Sequence, residues 1–117
     1  MRLEKIKGNN NNLIINDAYS IDEQSLEMGL RFLATNKGAK KAVVFLGEDA
    51  KLADKDNSLL NMIQSIRSKI AMDDLYYIGS ADIARQFDFI TATFPNAEAI
   101  NAEKLPLENC AILFTGS

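Results

Sequence analysis

Three groups of polar residues in this sequence could bind a ligand, and each follows a short apolar segment. The first group comes after the apolar residues 13–15 and comprises Asp17, Tyr19, Ser20 and Asp22. In open α/β sheets, ligands bind outside the carboxyl ends of strands, where the N-termini of the following helices point. A strand that ends in Asn-Asp and is followed by a hydroxyl-rich turn is therefore the first candidate site. The alternative is that Asp17 only accepts hydrogen bonds from backbone amides of the turn, as Asp commonly does.

The second and third groups follow apolar segments in the middle and at the end of the sequence. They are an acidic pair and a small polar trio, namely Glu48 and Asp49, and Thr115, Gly116 and Ser117. The carboxylates of the acidic pair would suit an ammonium group of a ligand, although a solvated loop explains them equally well. The amides and hydroxyls of the trio could bind a carboxylate.

The segment after the first group must supply the helix beside that candidate site. Three leucines recur at the i, i+4, i+7 spacing of one helical face, at Leu26, Leu30 and Leu33. Asp22 can cap this helix, and Ser20 with Glu23 offers a competing capping box. The Asn-Lys-Gly sequence at residues 36–38 is a typical C-terminal signal. We therefore predict an amphipathic helix from about residue 23 to residue 36.

The rest of the chain alternates predicted strands with predicted helices. A hairpin is expected to join residues 2–7 to residues 13–15 across the asparagine run at 9–12, which we interpret as a solvated turn rather than a site. Further strands are expected at residues 42–47, 75–79 and 110–114, and helices at residues 58–70 and about 80–87. Residues 97–100 fit a short strand or a helical turn, and we interpret them as a strand.

This order of elements predicts the fold class. The nearly continuous apolar run at residues 42–47 is typical of a central parallel strand that is buried on both faces. Strands that alternate with helices favour an α/β fold. We therefore expect a three-layer, Rossmann-like domain with a mostly parallel sheet and an edge hairpin, which occupies residues 1–117 as a single domain.

Composition excludes several classes of protein. Lys and Arg number 13 against 16 Asp and Glu, which gives a net charge of −3 and no basic face for nucleic acid. The single cysteine, Cys110, excludes an internal disulfide and is expected in the core. No segment approaches the length of a membrane span, and the first residues are too charged for a signal peptide. The expected location is the cytoplasm.

The absence of histidine narrows the chemistry further. With no His, neither a Cys/His zinc site nor a Ser-His or Cys-His nucleophile can form, so we expect no catalytic residue and no metal ligand. There is also no GxxxxGK[ST] phosphate loop and no GxGxxG. If the protein takes part in ATP chemistry, another domain must hold the triphosphate. We therefore expect part of an enzyme rather than a complete one, excised from a longer chain.

The first candidate segment resembles the opening of the C-terminal domain of the Mur ligases. The resemblance is strongest to the member that adds D-alanyl-D-alanine to UDP-N-acetylmuramoyl-tripeptide. The consensus sequence of that family is roughly I-(D/N)-D-S-Y-N-A-N-P-D-S-M, followed by an amphipathic helix. Residues 15–26 of this chain are I-N-D-A-Y-S-I-D-E-Q-S-L. Ser20 stands where the family has Asn and is shorter in reach. Glu23 replaces a Pro that would start the helix rigidly, and Asp22 keeps the cap while adding charge.

The other two candidate segments also resemble motifs of this family. The family's L-G-D-M-x-E-L-G, which is followed by His, is matched at Leu46 and Gly47, while Glu48 takes the place of its Asp and the His is absent. The family's (V/I)-L-(V/L)-K-G-S-R is similar to residues 112–117, I-L-F-T-G-S. There the Gly and Ser match, and Thr115 replaces the Lys.

The resemblance implies a role for each segment. It implies that Asp17, Tyr19, Ser20 and Asp22 face a nucleotide, with Asp17 toward the ribose, when this domain closes over a central ATPase domain of the same chain. It implies that the acidic pair and the polar trio bind the incoming D-Ala-D-Ala, which attacks an acyl phosphate of the UDP-muramoyl peptide. ATP and Mg²⁺ would be held mainly by the other domains, and the whole protein could be fused to a pyridoxal-phosphate alanine racemase.

A second hypothesis treats the chain as a stand-alone Rossmann-like module that binds a protein partner and is not an enzyme. The changes at Ser20, Glu23 and Thr115 and the missing His favour this hypothesis, whereas the near-full-length order of the motifs favours the ligase. An upstream GxxxxGK[ST] segment in the same reading frame would decide for the ligase.

Overall fold

The strands and helices follow one another in the predicted order. The computed structural model describes residues 4–7, 10–17, 23–47, 58–70, 72–96, 98–100, 105 and 107–116. The strands in these ranges are β1 (Glu4–Lys7), β2 (Leu13–Asp17), β3 (Lys41–Gly47), β4 (Asp74–Ile78), β5 (Ala92–Phe94) and β6 (Cys110–Gly116). The helices are α1 (Glu23–Asn36), α2 (Ser58–Ile66) and α3 (Ala81–Ala84).

These six strands form one sheet in the order β1-β2-β6-β3-β4-β5. The five strands from β2 to β5 across the sheet pair in parallel, and β1 pairs with β2 as an antiparallel edge hairpin. The predicted fold class is confirmed: the protein is an α/β, Rossmann-like domain with a mostly parallel sheet. The last described strand, β6, lies between β2 and β3, so a strand from the end of the described chain is next to one from near its start.

The two central strands are buried because helices and loops cover both faces of the sheet. Residues 42–46 of β3 are all buried, as the apolar run predicts, and so are residues 110–113 of β6. On one face the core contains the leucines of α1 and the apolar side of α2, together with Ile15, Val44, Leu75 and Leu113. On the other face a smaller cluster comprises Val43, Phe45, Cys110 and Ile112.

Helix α1 has the predicted bounds, from residue 23 to residue 36. Its three leucines are almost completely buried, which confirms the predicted apolar face. Beyond the helix, the amide of Lys37 donates to the carbonyl of Leu33 at 2.9 Å, and Gly38 adopts a φ of +60°. A left-handed residue just past a helix is the usual way in which its last turn ends, and glycine adopts that conformation at least cost.

Three local predictions need correction. Helix α2 ends at Ile66 rather than at Ile70, and the chain continues in turns, although Ile70 still reaches the core. Residues 98–100 are helical and not a strand, since Pro95-Asn96 ends β5 and the Asn96 side chain accepts a hydrogen bond from the amide of Ala99 at 3.0 Å. The edge strand β5 itself was not expected, because three residues are too few to show an alternating pattern.

The asparagine run has a structural role beyond that of a solvated turn. Asn10 and Asn11 both have positive φ, which suits the tight hairpin between β1 and β2. Asn12 is buried, where its side-chain oxygen accepts from the amide of Cys110 at 2.8 Å and its Nδ2 donates to the carbonyl of Leu107 at 3.0 Å. The run therefore ties the hairpin to the start of β6.

Candidate functional site

The strand ends at which the three candidate segments are found lie at one edge of the sheet, because β2, β6 and β3 are neighbours and run in parallel. In the β2–β6 ladder Asp17 is paired with Thr115, and in the β3–β6 ladder Leu46 is paired with Thr115 and Gly47 with Gly116. The carboxyl ends of the three strands therefore lie side by side. This is the edge at which open α/β sheets bind ligands.

Thr115 is the polar residue that the structure describes most fully at this edge. Its side chain is only 6% exposed, and its hydroxyl oxygen has no hydrogen-bond partner within the described part of the chain. Alternate residues of a strand share a face, so Thr115 lies on the side of Ala111 and Leu113, which α1 covers. A buried hydroxyl without a partner costs roughly 1–3 kcal/mol, and a polar group of a ligand would recover that cost.

Phe114 lies beside Thr115 on the opposite face of the sheet. Its ring is 36% exposed and stacks on Phe45 with a centroid distance of 4.9 Å and an interplanar angle of 15°. Phe45 in turn stacks on Tyr76 at 4.9 Å, and Tyr76 contacts Phe94 at 6.1 Å. The aromatic row thus runs across four strands and fixes the ring of Phe114. The sequence predicted a buried strand here and did not single out Phe114, since local pattern does not show where a covering element stops.

The structure describes some of the predicted site residues and not others. Thr115 and Gly116 lie in β6 at the carboxyl edge, and the backbone of Asp17 lies beside them at the end of β2. The remaining predicted residues lie outside the described residues, namely Tyr19, Ser20, Asp22, Glu48, Asp49 and Ser117. The sheet therefore brings together the backbone of Asp17 from the first group and Thr115 and Gly116 from the third, while the acidic pair follows Gly47 in the sequence.

Both signs of charge occur at the amino edge of the sheet. Lys37, Lys40 and Lys41 lie there, from the end of α1 to the first residue of β3, and Asp73 and Asp74 lie at the start of β4. The Lys40 ammonium donates there to the carbonyl of Asn11 at 2.6 Å and to the side-chain oxygen of Asn109 at 3.1 Å. At the carboxyl edge β2 ends in Asp17, and β3 is followed by an acidic pair.

No group of three or more His, Cys, Asp or Glu side chains that could hold a metal ion occurs among the described residues. Within the same ranges, the helices are too short and too polar to cross a lipid bilayer. The edge therefore offers hydrogen-bonding groups and backbone amides for binding, without a metal cluster in the described part of the chain.

Comparison with known proteins identifies a fold relative. The structure superimposes on the crystal structure of a domain from a protein described as a UDP-N-acetylmuramate:L-alanyl-γ-D-glutamyl-meso-diaminopimelate ligase of Haemophilus ducreyi 35000HP, with a TM-score of 0.66. The match covers 99% of this chain and 87% of that chain, with 12% sequence identity. No family model and no curated protein matches the sequence. At this identity the likeness establishes the fold.

Proposed function

We propose that this chain is the C-terminal domain of a cytoplasmic, ATP-dependent ligase of the Mur type, which joins D-Ala-D-Ala to a UDP-muramoyl peptide. In this role the domain binds the incoming dipeptide and closes over the nucleotide held by a central domain of the same longer chain. It contributes closure and positioning rather than a catalytic base, which agrees with its lack of histidine.

One observation carries this proposal. The three sequence segments that resemble the ligase family lie far apart in the chain, yet they end at the same edge of three adjacent strands. Neighbouring parallel strands place their carboxyl ends at one edge in any fold of this class, so the observation supports the ligase through the family motifs found at these three ends. The fold of the ligase domain from Haemophilus ducreyi, which matches over nearly the whole chain, supports the same assignment.

The family motifs suggest a role for each group in this proposal. Asp17 faces the ribose of the nucleotide in the closed state, with Tyr19, Ser20 and Asp22 in the adjoining turn. The acidic pair orients the ammonium group of the dipeptide, because its carboxylates follow the end of β3. Thr115, Gly116 and Ser117 bind the dipeptide through amides and hydroxyls, and the replacement of Lys by Thr115 removes a point charge from this group.

Binding of dipeptide to the chain in solution tests this proposal. In a ¹⁵N-labelled sample, D-Ala-D-Ala should shift the amide signals of Leu46, Gly47, Thr115 and Gly116, with a Kd of about 1 mM because the other domains are absent. L-Ala-L-Ala has the same charges and atoms and is the matched control, which should shift these signals less. Equal effects of the two dipeptides, or shifts confined to other regions, would refute a dipeptide site at this edge.

The size of the native polypeptide tests the second part of the proposal. An antibody to this domain should detect, in an extract of the source cells, a chain several times heavier than 12.9 kDa, since the triphosphate needs another domain. A racemase fusion would increase that mass further. A native chain of 12.9 kDa would refute the ligase assignment.

The partner-binding module is the second candidate, and the exposed ring of Phe114 favours it. Aromatic side chains with accessible faces are enriched at protein interfaces. A single ring is a small surface, however, and specific interfaces bury about 800 Å² on each partner. A 12.9 kDa native chain that fails to bind dipeptide but co-purifies with one stoichiometric partner, and loses it on Phe114→Ser, would support this second function.

A further inference from the structure

A separate cavity lies at the amino edge of the sheet, on the side away from the candidate site. It has a volume of about 330 Å³ and is lined by Arg67, Met72, Asp73, Leu75 and Phe89. Arg67 directly follows α2, and Asp73 directly precedes β4, so the cavity lies where the chain passes from helix to strand. This volume is within the range of small-molecule sites. We refer to it as the amino-edge cavity.

Arg67 presents a cation to this cavity in a fixed position. Its guanidinium carbon lies 5.4 Å from the centroid of the Phe89 ring, and Phe87 holds that ring at a centroid distance of 5.7 Å. Arg67 Nη1 also pairs with Asp88 Oδ1 at 3.3 Å, but the Asp88 side chain is 88% exposed. An ion pair this exposed contributes at most about 1 kcal/mol, so a carboxylate from a ligand can compete for the guanidinium, which carries five N–H donors.

Asp73 presents an anion to the same cavity in an equally fixed position. Its Oδ2 accepts a hydrogen bond from the amide of Ala42 at 2.7 Å, and its own amide donates to the carbonyl of Ala42 at 2.8 Å. This reciprocal pair holds Asp73 against the start of β3. Among the described residues no direct ion pair engages this carboxylate. The Lys41 ammonium pairs with Asp74 at 3.1 Å and acts on Asp73 only through space, so an ammonium group of a ligand can still pair with Asp73.

We propose that the amino-edge cavity binds a small zwitterion of the amino-acid class. The ligand's carboxylate would pair with Arg67, its ammonium group with Asp73, and its side chain would contact Met72, Leu75 and Phe89. A ligand with a single charge can form only one of these two ion pairs and leaves the opposite group of the cavity without a partner from the ligand. The paired charges therefore select for a ligand that carries both. None of these residues belongs to the carboxyl edge, so this site is independent of the proposed dipeptide site.

Amide signals of the ¹⁵N-labelled chain report on this binding directly. Glycine, β-alanine and γ-aminobutyrate carry the same two charges at increasing separation, and leucine and methionine add an apolar side chain. At least one member of this series should shift the signals of Arg67, Asp73 and Phe89 in a saturable manner. Acetate and methylammonium, each with a single charge, are the controls and should not. The absence of saturable shifts with every zwitterion would overturn the proposal, as would equal shifts with acetate.

Three substitutions then separate ligand binding from a purely structural role of Arg67. Arg67→Gln removes the cation, and Asp73→Asn removes the anion while retaining an oxygen that can accept from Ala42. Each should weaken zwitterion binding by about tenfold or more. Asp88→Asn should strengthen binding several-fold, because it removes the competitor for the guanidinium. If the Arg67–Asp88 pair served only to stabilise the fold, Asp88→Asn would weaken binding or leave it unchanged. That result would show that Asp88 and the ligand carboxylate do not compete for the guanidinium, and it would contradict the proposed pairing with Arg67.

Urea unfolding of each variant, measured beside these titrations, shows whether weaker binding results from loss of folding. Arg31→Gln is the matched control for Arg67→Gln, because Arg31 lies on α1 and its Nε likewise forms an exposed ion pair, with Glu27 Oε2 at 3.6 Å. It should leave zwitterion binding unchanged, and a parallel loss of binding in Arg31→Gln would contradict a specific site at the amino edge.

Discussion

Asp17 and Thr115 are paired in register at the carboxyl ends of two adjacent parallel strands, although one lies near the start of the chain and the other near its end. The pairing exists because β6 lies between β2 and β3. It brings a carboxylate-bearing position next to a buried hydroxyl that has no partner among the described residues. Polar groups without partners inside a fold commonly mark functional positions.

Replacing Thr115 by valine should stabilise the protein. Valine has nearly the same shape as threonine and lacks the hydroxyl, so Thr115→Val should raise the free energy of unfolding by about 1 kcal/mol, measured by urea denaturation. The same variant should bind D-Ala-D-Ala more weakly if the hydroxyl contacts the dipeptide. A destabilised Thr115→Val variant would show that the hydroxyl already has a partner within the fold.

Thr91 offers a matched control for this substitution. Its hydroxyl oxygen accepts from the amide of Leu75 at 3.1 Å and lies 3.3 Å from Asp74 Oδ1, to which it donates. Thr91→Val removes both hydrogen bonds and should lower the free energy of unfolding by about 1 kcal/mol. The same change of side chain should thus have opposite signs at the two positions.

Asn12 should be the most sensitive of the asparagines in the hairpin. Asn12→Ala leaves the amide of Cys110 and the carbonyl of Leu107 without their partner in a buried place, and should cost about 2 kcal/mol of unfolding free energy. Asn11→Gly is the control, because Asn11 is exposed and glycine accepts its φ of 60°. That variant should change stability by no more than about 0.5 kcal/mol, and equal losses in the two variants would contradict a specific role for Asn12.

Gly79 should not tolerate a side chain. A Cβ atom at this position would lie 2.9 Å from Cε2 of Tyr77, whose ring is almost fully buried. Gly79→Ala should therefore destabilise the fold by about 1–3 kcal/mol through overpacking. At Gly38 an added Cβ meets no atom within 4 Å, and Gly38→Ala should cost only about 1 kcal/mol for the left-handed backbone. Thermal unfolding of the two variants compares the cost of steric overlap at Gly79 with the cost of a left-handed backbone at Gly38. A Gly79→Ala variant with unchanged stability would show that the Tyr77 ring can move away.

The free energy of unfolding should fall at alkaline pH. The hydrogen bond from Lys41 Nζ to Asp74 Oδ2, at 3.1 Å, raises the pKa of Lys41 above its ordinary value of 10.5. Burial raises the pKa of Tyr76 above its ordinary value of 10.0. In both cases the folded state keeps its proton to higher pH than the unfolded state. The contribution of these two groups to stability is therefore fully present below these ordinary values and is lost as the pH rises through their folded-state pKa values.

Urea midpoints measured from neutral pH to above 10.5 follow this loss. Asp74→Asn should reduce the contribution of Lys41 to the loss of stability at alkaline pH. Tyr76→Phe should abolish the contribution of Tyr76 to this loss while keeping the ring that stacks on Phe45. Because the Lys41 side chain is 60% exposed, added salt should reduce the contribution of Lys41 to the pH dependence of the free energy of unfolding. A midpoint that rises with pH in this range would contradict both assignments.

Local sequence patterns predicted most of the individual elements. The spacing of three leucines located α1, and the Gly38 signal located its end, since both depend on residues within a few positions of each other. The same reasoning extended α2 to residue 70 and placed a strand at residues 97–100, because periodicity does not detect where tertiary contacts take over. It also overlooked β5, whose three residues form a strand only by pairing with β4.

The sequence by itself determined the fold class and placed the candidate polar residues at the ends of apolar segments, because helix and strand periods are local properties. Only the tertiary structure decided that β6 lies between β2 and β3, that Asn12 is buried while Phe114 is exposed, and that Arg67 and Asp73 line one cavity. These features depend on pairings between distant segments and on which element covers each face. These features are stabilised by contacts between residues that are far apart in the sequence, so a short segment of sequence does not reveal them.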